Sequence, residues 1–221
     1  MNNAALQALK EGLLQLQRPA EPWHLQALQT YVEELLRWNR QTNLTAITAP
    51  EEVVPKHILD SLAALPRQPL GAVCDIGSGA GLPGLIWALF DPQLEVTSVD
   101  ARTRKVAFQN HVARLLGLRN FRAIHARIED VPQQFPYLTC RAFAGLTCML
   151  ELVEARLAPG GRMLALKGPG VEEELSALDE SMWRYTICPL QVPGLSAQRS
   201  VVVLQRAAES PAKPLQMEPA A

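Results

Sequence analysis

The sequence predicts a doubly wound α/β fold with a mostly parallel sheet, preceded by a helical segment. Three observations lead to this prediction. From Ala72 onward, apolar runs alternate with helical patterns, which is typical of βαβ units. One apolar run leads directly into a glycine-rich turn at Gly77 to Gly81, and a helical pattern follows it. The next apolar run ends at Asp100, an acidic residue where a nucleoside-binding sheet commonly has one.

The size and composition of the chain indicate one globular domain with room for an appendage. Its 221 residues are 48% hydrophobic and 19% charged, which excludes wholesale disorder. No apolar run approaches the roughly 20 residues that span a bilayer, and no secretory leader is recognisable, so we expect a cytoplasmic protein without a membrane partner. The four cysteines and four histidines form no metal-binding pattern, which predicts reduced core thiols and no metal site.

Residues 1–66 are predicted to form an N-terminal helical extension. Apolar residues recur at helical spacing in three stretches, near 6–16, 25–36 and 51–65. Prolines suit the first turn of the second helix and the end of the third. A polar connector, rich in residues that cap helices or bond to the backbone, separates those two helices.

Residues 67–206 are predicted to form the sheet domain, and residues 207–221 a disordered tail without periodicity. The predicted helices of the sheet domain lie near 83–90, 102–117 and 147–157. The predicted strands are Ala72 to Ile76, Glu95 to Val99, Arg122 to His125, Leu138 to Phe143 and Met163 to Lys167, with a closing pair at Leu190 to Val192 and Val201 to Gln205.

The turn after the first predicted strand has the features of a nucleoside-binding loop. Its glycines, Gly77, Gly79 and Gly81, let the backbone turn sharply and approach a ligand, and the next helix offers unpaired N–H groups. No Gly-Lys-Ser/Thr follows, which excludes a phosphate-binding P-loop. Asp75 is interpreted as an acceptor for the amino group of a methionine moiety, with a simple turn residue as the alternative. The spacing favours S-adenosylmethionine, while dinucleotide binding stays open.

Asp100 is predicted to bind ribose hydroxyls, because it follows the glycine turn at close to the usual spacing of about 20 residues. The alternative is a cap for the helix that begins near Thr103.

Seven motifs, in unbroken order over roughly residues 25–206, resemble the bacterial small-subunit ribosomal RNA guanine-N7 methyltransferases, also called glucose-inhibited division protein B. Lys56 and Ala80 depart from the usual family pattern of arginine and proline. The motifs are Leu36-Arg37-Trp38-Asn39, Asn43-Leu44-Thr45, His57-Ile58-Leu59-Asp60-Ser61, Asp75 to Gly84, Ser98-Val99-Asp100, Arg141-Ala142-Phe143-Ala144 and Ala165-Leu166-Lys167-Gly168.

The resemblance implies a Rossmann-like class I methyltransferase with a seven-stranded sheet. It implies an enzyme that uses S-adenosyl-L-methionine to methylate N7 of one guanine in 16S ribosomal RNA. The partner is then 16S ribosomal RNA or the small ribosomal subunit, and we expect a monomer. Carried over residue by residue, the cofactor contacts are Gly77, Leu82, Asp100, Ile128, Glu129 and Arg141. For Ile128 and Glu129 the alternative is a surface helix cap with Asp130.

Methylation at N7 needs no general base, because this nitrogen carries a lone pair and no proton. We therefore predict no acid or base catalyst, and two positioning candidates. Arg141 lies in an apolar segment, where a guanidinium needs an anion, a ring face or carbonyl groups nearby. Lys167 ends a strand at the ligand-binding edge, with a solvent-directed lysine as the alternative. His57 is interpreted as a capped helix histidine, and Asn43 and Asp60 as residues that organise the connector.

The charge pattern bears on the RNA partner. The net charge of −1 argues against a dedicated nucleic-acid-binding protein, and a solvated helix face explains the local basic cluster on charge alone. If the target is RNA, basic residues can grip phosphates around the site. The candidates are Arg37, Arg40, Lys56, Arg102, Arg104 and Lys105.

Two other function classes remain open at this stage. One is a nicotinamide-dependent oxidoreductase, although the sequence shows no recognisable Tyr/Lys or His/Asp catalytic set for that class. The other is a nucleotide-sensing or RNA-binding module that keeps the fold without turnover.

Overall fold

The computed structural model of the chain describes residues 1–141, 145–210 and 213–217. The chain begins with a helical segment, as predicted. Helix α1 is Asn3–Gln15 and helix α2 is Pro22–Thr42. Asn43, with a φ of 47°, ends α2 in the left-handed conformation that asparagine tolerates.

The third predicted helix contains a π-helical turn. Helix α3 is Pro50–Val53, the π-helical turn is Val54–Leu59, and helix α4 is Asp60–Ala63. Pro55 lacks an amide N–H and therefore interrupts the α-helical hydrogen-bond ladder at this point.

Seven strands of the described residues form one sheet in the order β3-β2-β1-β4-β5-β7-β6. Strands β1 to β5 are parallel, and β7 is antiparallel to both of its neighbours. The bounds are β1 Ala72–Ile76, β2 Glu95–Asp100, β3 Phe121–His125, β4 Phe135–Arg141, β5 Leu157–Lys167, β6 Trp183–Leu190 and β7 Arg199–Arg206.

These bounds confirm the predicted β1, β2 and β3 closely, and β5 and β7 are longer than predicted. The predicted strand Leu190 to Val192 was misplaced, because β6 is Trp183–Leu190 and shares only Leu190 with it. β6 is an edge strand with mostly exposed residues, so no apolar run marks it in the sequence. The predicted fourth strand extended to Phe143, which lies outside the described residues.

Helices cover both faces of the sheet, and β5 shows how the two cores are divided. Leu164 and Leu166 pack with the N-terminal helices, whereas Met163 and Ala165 pack with the opposite layer, as the two-residue period of a strand requires. The covering helices are α5 Gly84–Phe90 and α6 Thr103–Leu115 on the first face, and α7 Leu146–Val153 and α8 Val171–Ser176 on the second.

The N-terminal helices share an apolar core with the sheet. Tyr31 of α2 and Phe108 of α6 are fully buried, with ring centroids 6.3 Å apart. The indole Nε1 of Trp87 in α5 donates to the carbonyl oxygen of Ser61 at 2.7 Å. Helical segment and sheet therefore form one packed body.

The tail differs from the prediction of disorder at residues 213–217. Leu215 and Met217 are buried and belong to the apolar core shared with the N-terminal helices. The amide of Arg67 donates to the carbonyl oxygen of Gln216 at 2.7 Å, and the amide of Gln216 donates to Oε1 of Gln68 at 2.8 Å. Two apolar side chains in a short polar stretch gave no periodic signal in the sequence.

Candidate cofactor and substrate site

The glycine turn lies between the carboxyl ends of β1 and β2. Gly77, Gly79 and Gly81 have φ values of 64°, 59° and 80°, in the left-handed region where a side chain would introduce strain. The amide of Gly77 donates to the carbonyl oxygen of Val99 at 2.8 Å, which fixes the turn to the end of β2. The sequence prediction of a sharp glycine turn at this edge is correct.

Gln109 of α6, which the sequence analysis did not identify, braces the turn from one side. This residue is fully buried, and its Nε2 donates to Ser78 Oγ and to the carbonyl oxygen of Gly79, both at 2.9 Å. Its Oε1 accepts from Ser98 Oγ at 2.6 Å, and the hydroxyl groups of Ser78 and Ser98 also bond to each other. All polar groups of this network therefore serve to hold the turn.

Tyr31 braces the turn from the other side. Its hydroxyl donates to the carbonyl oxygen of Ala80 at 3.1 Å. Burial raises the pKa of Tyr31 above its ordinary value, so the phenol stays protonated and remains a donor. This bond joins the N-terminal helical segment to the turn.

Asp100 is placed where the sequence predicted it, at the end of β2 and beside the glycine turn. Its Oδ2 accepts from the amide of Gly79 at 3.0 Å, and its Oδ1 accepts from the amide of Arg102 at 2.8 Å. Arg102 is itself the N-cap residue of α6, and this helix has no side-chain cap, so the alternative of a helix cap is not realised. Each carboxylate oxygen keeps a further lone pair, which leaves acceptors for ribose hydroxyls.

Asp75 lies beneath the turn rather than on its surface. Its Oδ2 accepts from the amide of Gly84 at 2.8 Å, and its Oδ1 is buried without a partner among the described residues. Burial raises the pKa of Asp75 to about 7, while the bond from Gly84 and the charge of Arg141 oppose that rise. Direct contact with a methionine amino group is not apparent, because full burial covers this carboxylate.

Gly84 permits the close approach of Asp75. A Cβ atom at this position would lie 2.7 Å from Oδ2 of Asp75 and 2.9 Å from Cγ1 of Val96. The first residue of α5 therefore has to be small.

The other predicted cofactor contacts differ in exposure. Leu82 and Ile128 are both buried, with 3% and 4% of their surface exposed. Glu129 is exposed, and its carbonyl oxygen accepts from Nη2 of Arg156 at 3.0 Å. The short 3₁₀ helix Ile128–Asp130 has no side-chain cap, so the capping alternative is not realised here.

Arg141 ends β4 and is held by the N-terminal helical segment. Its Nη1 donates to the carbonyl oxygen of Lys56 at 2.8 Å and to Oδ2 of Asp60 at 3.1 Å. The guanidinium in this apolar strand needs an anion and a carbonyl group nearby, and residues more than 80 positions away in the sequence supply both. Neither partner was predicted for Arg141.

His57 and Asp60 belong to this cluster, which corrects their interpretation as local helix and connector residues. Nδ1 of His57 lies 3.0 Å from Nη2 of Arg141, and Nε2 lies 2.8 Å from Oγ1 of Thr45. Burial, and then the charge of Arg141, lower the pKa of His57 to about 4. The ring is therefore neutral at pH 7. Nδ1 accepts from the guanidinium in the tautomer with its proton on Nε2, and donates to the carbonyl oxygen of Lys56, also 3.0 Å away, in the other tautomer. The connector itself is organised by Asn39, whose Oδ1 accepts from the amide of Thr45 at 2.9 Å.

Lys167, at the end of β5, points into the protein rather than to solvent. Its Nζ donates to Oε2 of Glu174 at 2.7 Å, and the same oxygen accepts from the amide of Leu146 at 2.9 Å. The ends of β4, β5 and β7 surround a cavity of about 430 Å³. Its polar lining includes Lys56, Asp60, Arg141, Lys167, Glu174 and Arg199.

Three of the basic candidates lie together around a second hollow, of about 730 Å³, between the end of α2 and the start of α6. These are Arg102, Arg104 and Lys105. Lys56 is instead part of the first cavity, and its ammonium group pairs with Glu52.

Within the ranges that the structure describes, no group of three or more histidine, cysteine, aspartate or glutamate side chains is arranged to hold a metal ion. The same ranges contain no helix of the length and apolarity that crossing a bilayer requires.

Comparison with known proteins identifies the family. The family model for rRNA small subunit methyltransferase G, named GidB, matches residues 24–203. A ribosomal RNA small subunit methyltransferase G from Methylibium petroleiphilum is 40% identical, over 92% of this chain and 95% of the relative. One of the same name from Xanthomonas oryzae pv. oryzae is 40% identical, over 94% of this chain and 100% of the relative.

Solved structures agree on the fold. A predicted O-methyltransferase from Agrobacterium tumefaciens superposes with a TM-score of 0.54 at 20% identity, over 68% of this chain and 81% of that one. A ribosomal protein L11 methylase from Lactobacillus delbrueckii subsp. bulgaricus gives 0.50 at 17% identity, over 67% and 76%. The chain therefore belongs to the GidB family, rRNA small subunit methyltransferase G, and has the Rossmann-like class I methyltransferase fold.

Proposed function

We propose that this chain transfers the methyl group of S-adenosyl-L-methionine to N7 of a guanine in 16S ribosomal RNA. The observation that carries the proposal is the glycine turn, braced between β1 and β2 with the Asp100 carboxylate beside it. Membership of a family of small-subunit ribosomal RNA methyltransferases supports both the reaction and the substrate class.

The residues around the turn fit the cofactor. Asp100 has lone pairs for the ribose hydroxyls, and Gly77 offers backbone without a side chain next to the ligand. Leu82, Ile128 and Glu129 complete the proposed contacts along the same edge of the sheet. Arg141 closes the site at the end of β4.

The proposed chemistry is an in-line methyl transfer without a proton-transfer residue. The cofactor supplies a methyl group on a positively charged sulfur, and N7 of guanine supplies the lone pair. His57 is unsuited as a general base, because its Nδ1 is engaged by Arg141 and burial lowers its pKa to about 4. The chain's contribution is then to orient the two reactants and to exclude water.

The target guanine has to leave its helix, because the deep major groove of A-form RNA hides N7 from side chains. The cavity at the ends of β4, β5 and β7 is the proposed place for it, with Arg141 and Lys167 as positioning residues. The basic hollow that includes Arg102, Arg104 and Lys105 then contacts phosphates of the flanking RNA. We further propose that the chain acts in the cytoplasm as a monomer.

Methyl transfer to RNA in vitro tests this function. The purified chain is incubated with methyl-tritiated S-adenosylmethionine and either 16S ribosomal RNA or small ribosomal subunits, and the RNA is digested to nucleosides. We expect the label in 7-methylguanosine with at least one substrate. Label in another nucleoside would contradict the proposed target atom.

Calorimetry separates the competing function classes. We expect S-adenosylhomocysteine to bind and NADH not to bind; the reverse result would favour an oxidoreductase. Binding of S-adenosylhomocysteine without any RNA methylation would favour a module that has lost turnover. Gly77→Val is the matched control, because a branched side chain in the left-handed turn should abolish cofactor binding and labelling together.

A further inference from the structure

Asp60 joins two arginines that come from different strands. Its Oδ2 accepts from Nη1 of Arg141 at 3.1 Å, and its Oδ1 accepts from Nε of Arg199 at 3.2 Å. Arg141 ends β4, Arg199 begins β7, and Asp60 begins α4. With only 6% of its side-chain surface exposed, this carboxylate ties the helical segment to the edge of the sheet.

The two guanidinium groups differ in what remains available to a ligand. Arg141 donates from both Nη atoms to groups of the helical segment. Arg199 donates from Nη1 to the carbonyl oxygen of Gln198 at 2.9 Å, while its Nη2 has no partner among residues 1–141, 145–210 and 213–217. Its side chain is 26% exposed. Arg199 therefore keeps a donor that can reach a ligand.

The surroundings of Arg199 suit an anion. The cavity that it lines contains more cationic than carboxylate side chains within the described ranges: Lys56, Arg141, Lys167 and Arg199 against Asp60 and Glu174. A Cβ atom on Gly168 would lie 3.4 Å from Nη1 of Arg199, so bare backbone borders the guanidinium on that side. A planar guanidinium is the side chain best matched to phosphate oxygens.

We propose that Asp60 is a positioning residue for RNA: it orients Arg199 so that the Nη2 edge contacts a backbone phosphate of the substrate. This inference rests on the proposed function, since that function makes the anion an RNA phosphodiester. The negative charge of Asp60 by itself repels RNA. Any gain in RNA affinity from Asp60 must therefore come through the geometry of the arginines.

Replacement of the carboxylate gives a result whose sign is diagnostic. Asp60→Asn removes a negative charge. If Asp60 had no positioning role, this substitution would leave the affinity for RNA unchanged or increase it. We expect the Kd for a fluorescein-labelled 16S ribosomal RNA fragment, measured by anisotropy, to rise about fivefold, part of the roughly tenfold value of one charge-assisted bond. Asp60→Glu should restore part of the RNA affinity.

Glu52→Gln is the matched control for charge. It removes the same charge from the exposed pair with Lys56, and we expect RNA affinity to stay equal or to increase.

Arg199→Gln tests the phosphate contact directly, and keeps the proposal testable if Asp60→Asn does not fold. We expect RNA affinity to fall about tenfold and the slope of log Kd against log salt to decrease by about one. In the Asp60→Asn background, Arg199→Gln should lower the RNA affinity by less than about threefold, because the arginine is no longer oriented there.

Three results would overturn the inference: RNA binding by Asp60→Asn that equals or exceeds the parent, additive effects of the two substitutions, or an unchanged salt slope for Arg199→Gln. These measurements need no turnover. A parent chain that shows the expected RNA binding pattern but methylates no RNA would refute the proposed function while supporting the role of Asp60.

Discussion

Gln109→Met removes the polar groups that brace the glycine turn while keeping the size and shape of the side chain. The carbonyl oxygen of Gly79 loses a buried donor, and the hydroxyl of Ser98 loses one of its two partners. A buried polar group left without a partner costs about 1–3 kcal/mol, so we expect the free energy of unfolding to fall by about 2–3 kcal/mol. The turn also loses its support from α6, and we expect the Kd for S-adenosylhomocysteine to rise at least tenfold, equivalent to about 1.4 kcal/mol.

The assay combines urea unfolding with calorimetric titration of S-adenosylhomocysteine, at a temperature where the variant is folded. Asn110→Ala is the control on the neighbouring position of α6. Its side chain is exposed and its two hydrogen bonds to Ala123 are long, at 3.4 Å. We therefore expect the free energy of unfolding to fall by less than about 1 kcal/mol and the ligand affinity to stay unchanged.

Two outcomes would refute this account of Gln109. If stability falls but the ligand affinity stays within about threefold of the parent, the network stabilises the fold without preparing the turn for the ligand. If neither quantity changes, the hydrogen bonds to Ser78 and Gly79 contribute nothing in solution.

Three further predictions follow from the site. Gly84→Ala should destabilise the chain by about 1–3 kcal/mol and weaken S-adenosylhomocysteine binding, because its Cβ would lie 2.7 Å from Oδ2 of Asp75. Gly145→Ala should lower the free energy of unfolding by less than about 1 kcal/mol, because its Cβ would lie 3.9 Å from Oε2 of Glu174, and equal losses for the two variants would contradict this packing argument. Asp100→Asn should weaken S-adenosylhomocysteine binding about tenfold in calorimetry, and a loss below about threefold would leave Asp100 only its structural bonds to the amides of Gly79 and Arg102. The pKa of His57 is near 6.5 in the unfolded chain and about 4 in the folded chain, so the free energy of unfolding should fall by about 3 kcal/mol in total as the pH drops through this window. His57→Gln should lack this pH-dependent loss when unfolding is measured across the acid range, and a pH profile identical to that of the parent would contradict the prediction.

The parts of the fold that depend on local pattern were predictable from the sequence. The glycine turn and the acidic end of β2 could be recognised because each lies next to its own strand, and the register Asp75 to Ser98 then brings them to one edge. The same locality explains why the bounds of β1 to β3 were close.

The parts that depend on long-range contacts were not predictable in this way. Gln109 bonds to groups about 30 residues away, and a glutamine in an amphipathic helix carries no signal of its own. Arg199 meets Asp60 across 139 residues of sequence, through a contact that exists only once β7 lies beside β5. The burial of Leu215 and Met217 likewise depends on a surface that exists only in the folded chain.

Mapping of 7-methylguanosine in ribosomal RNA from cells with and without this chain tests the central claim most directly. Borohydride reduction followed by aniline cleaves RNA at 7-methylguanosine, and primer extension locates each cleavage. We predict one cleavage site in 16S ribosomal RNA that disappears when the chain is deleted, returns with the parent chain and does not return with Gly77→Val. An identical cleavage pattern in both strains would contradict the claim.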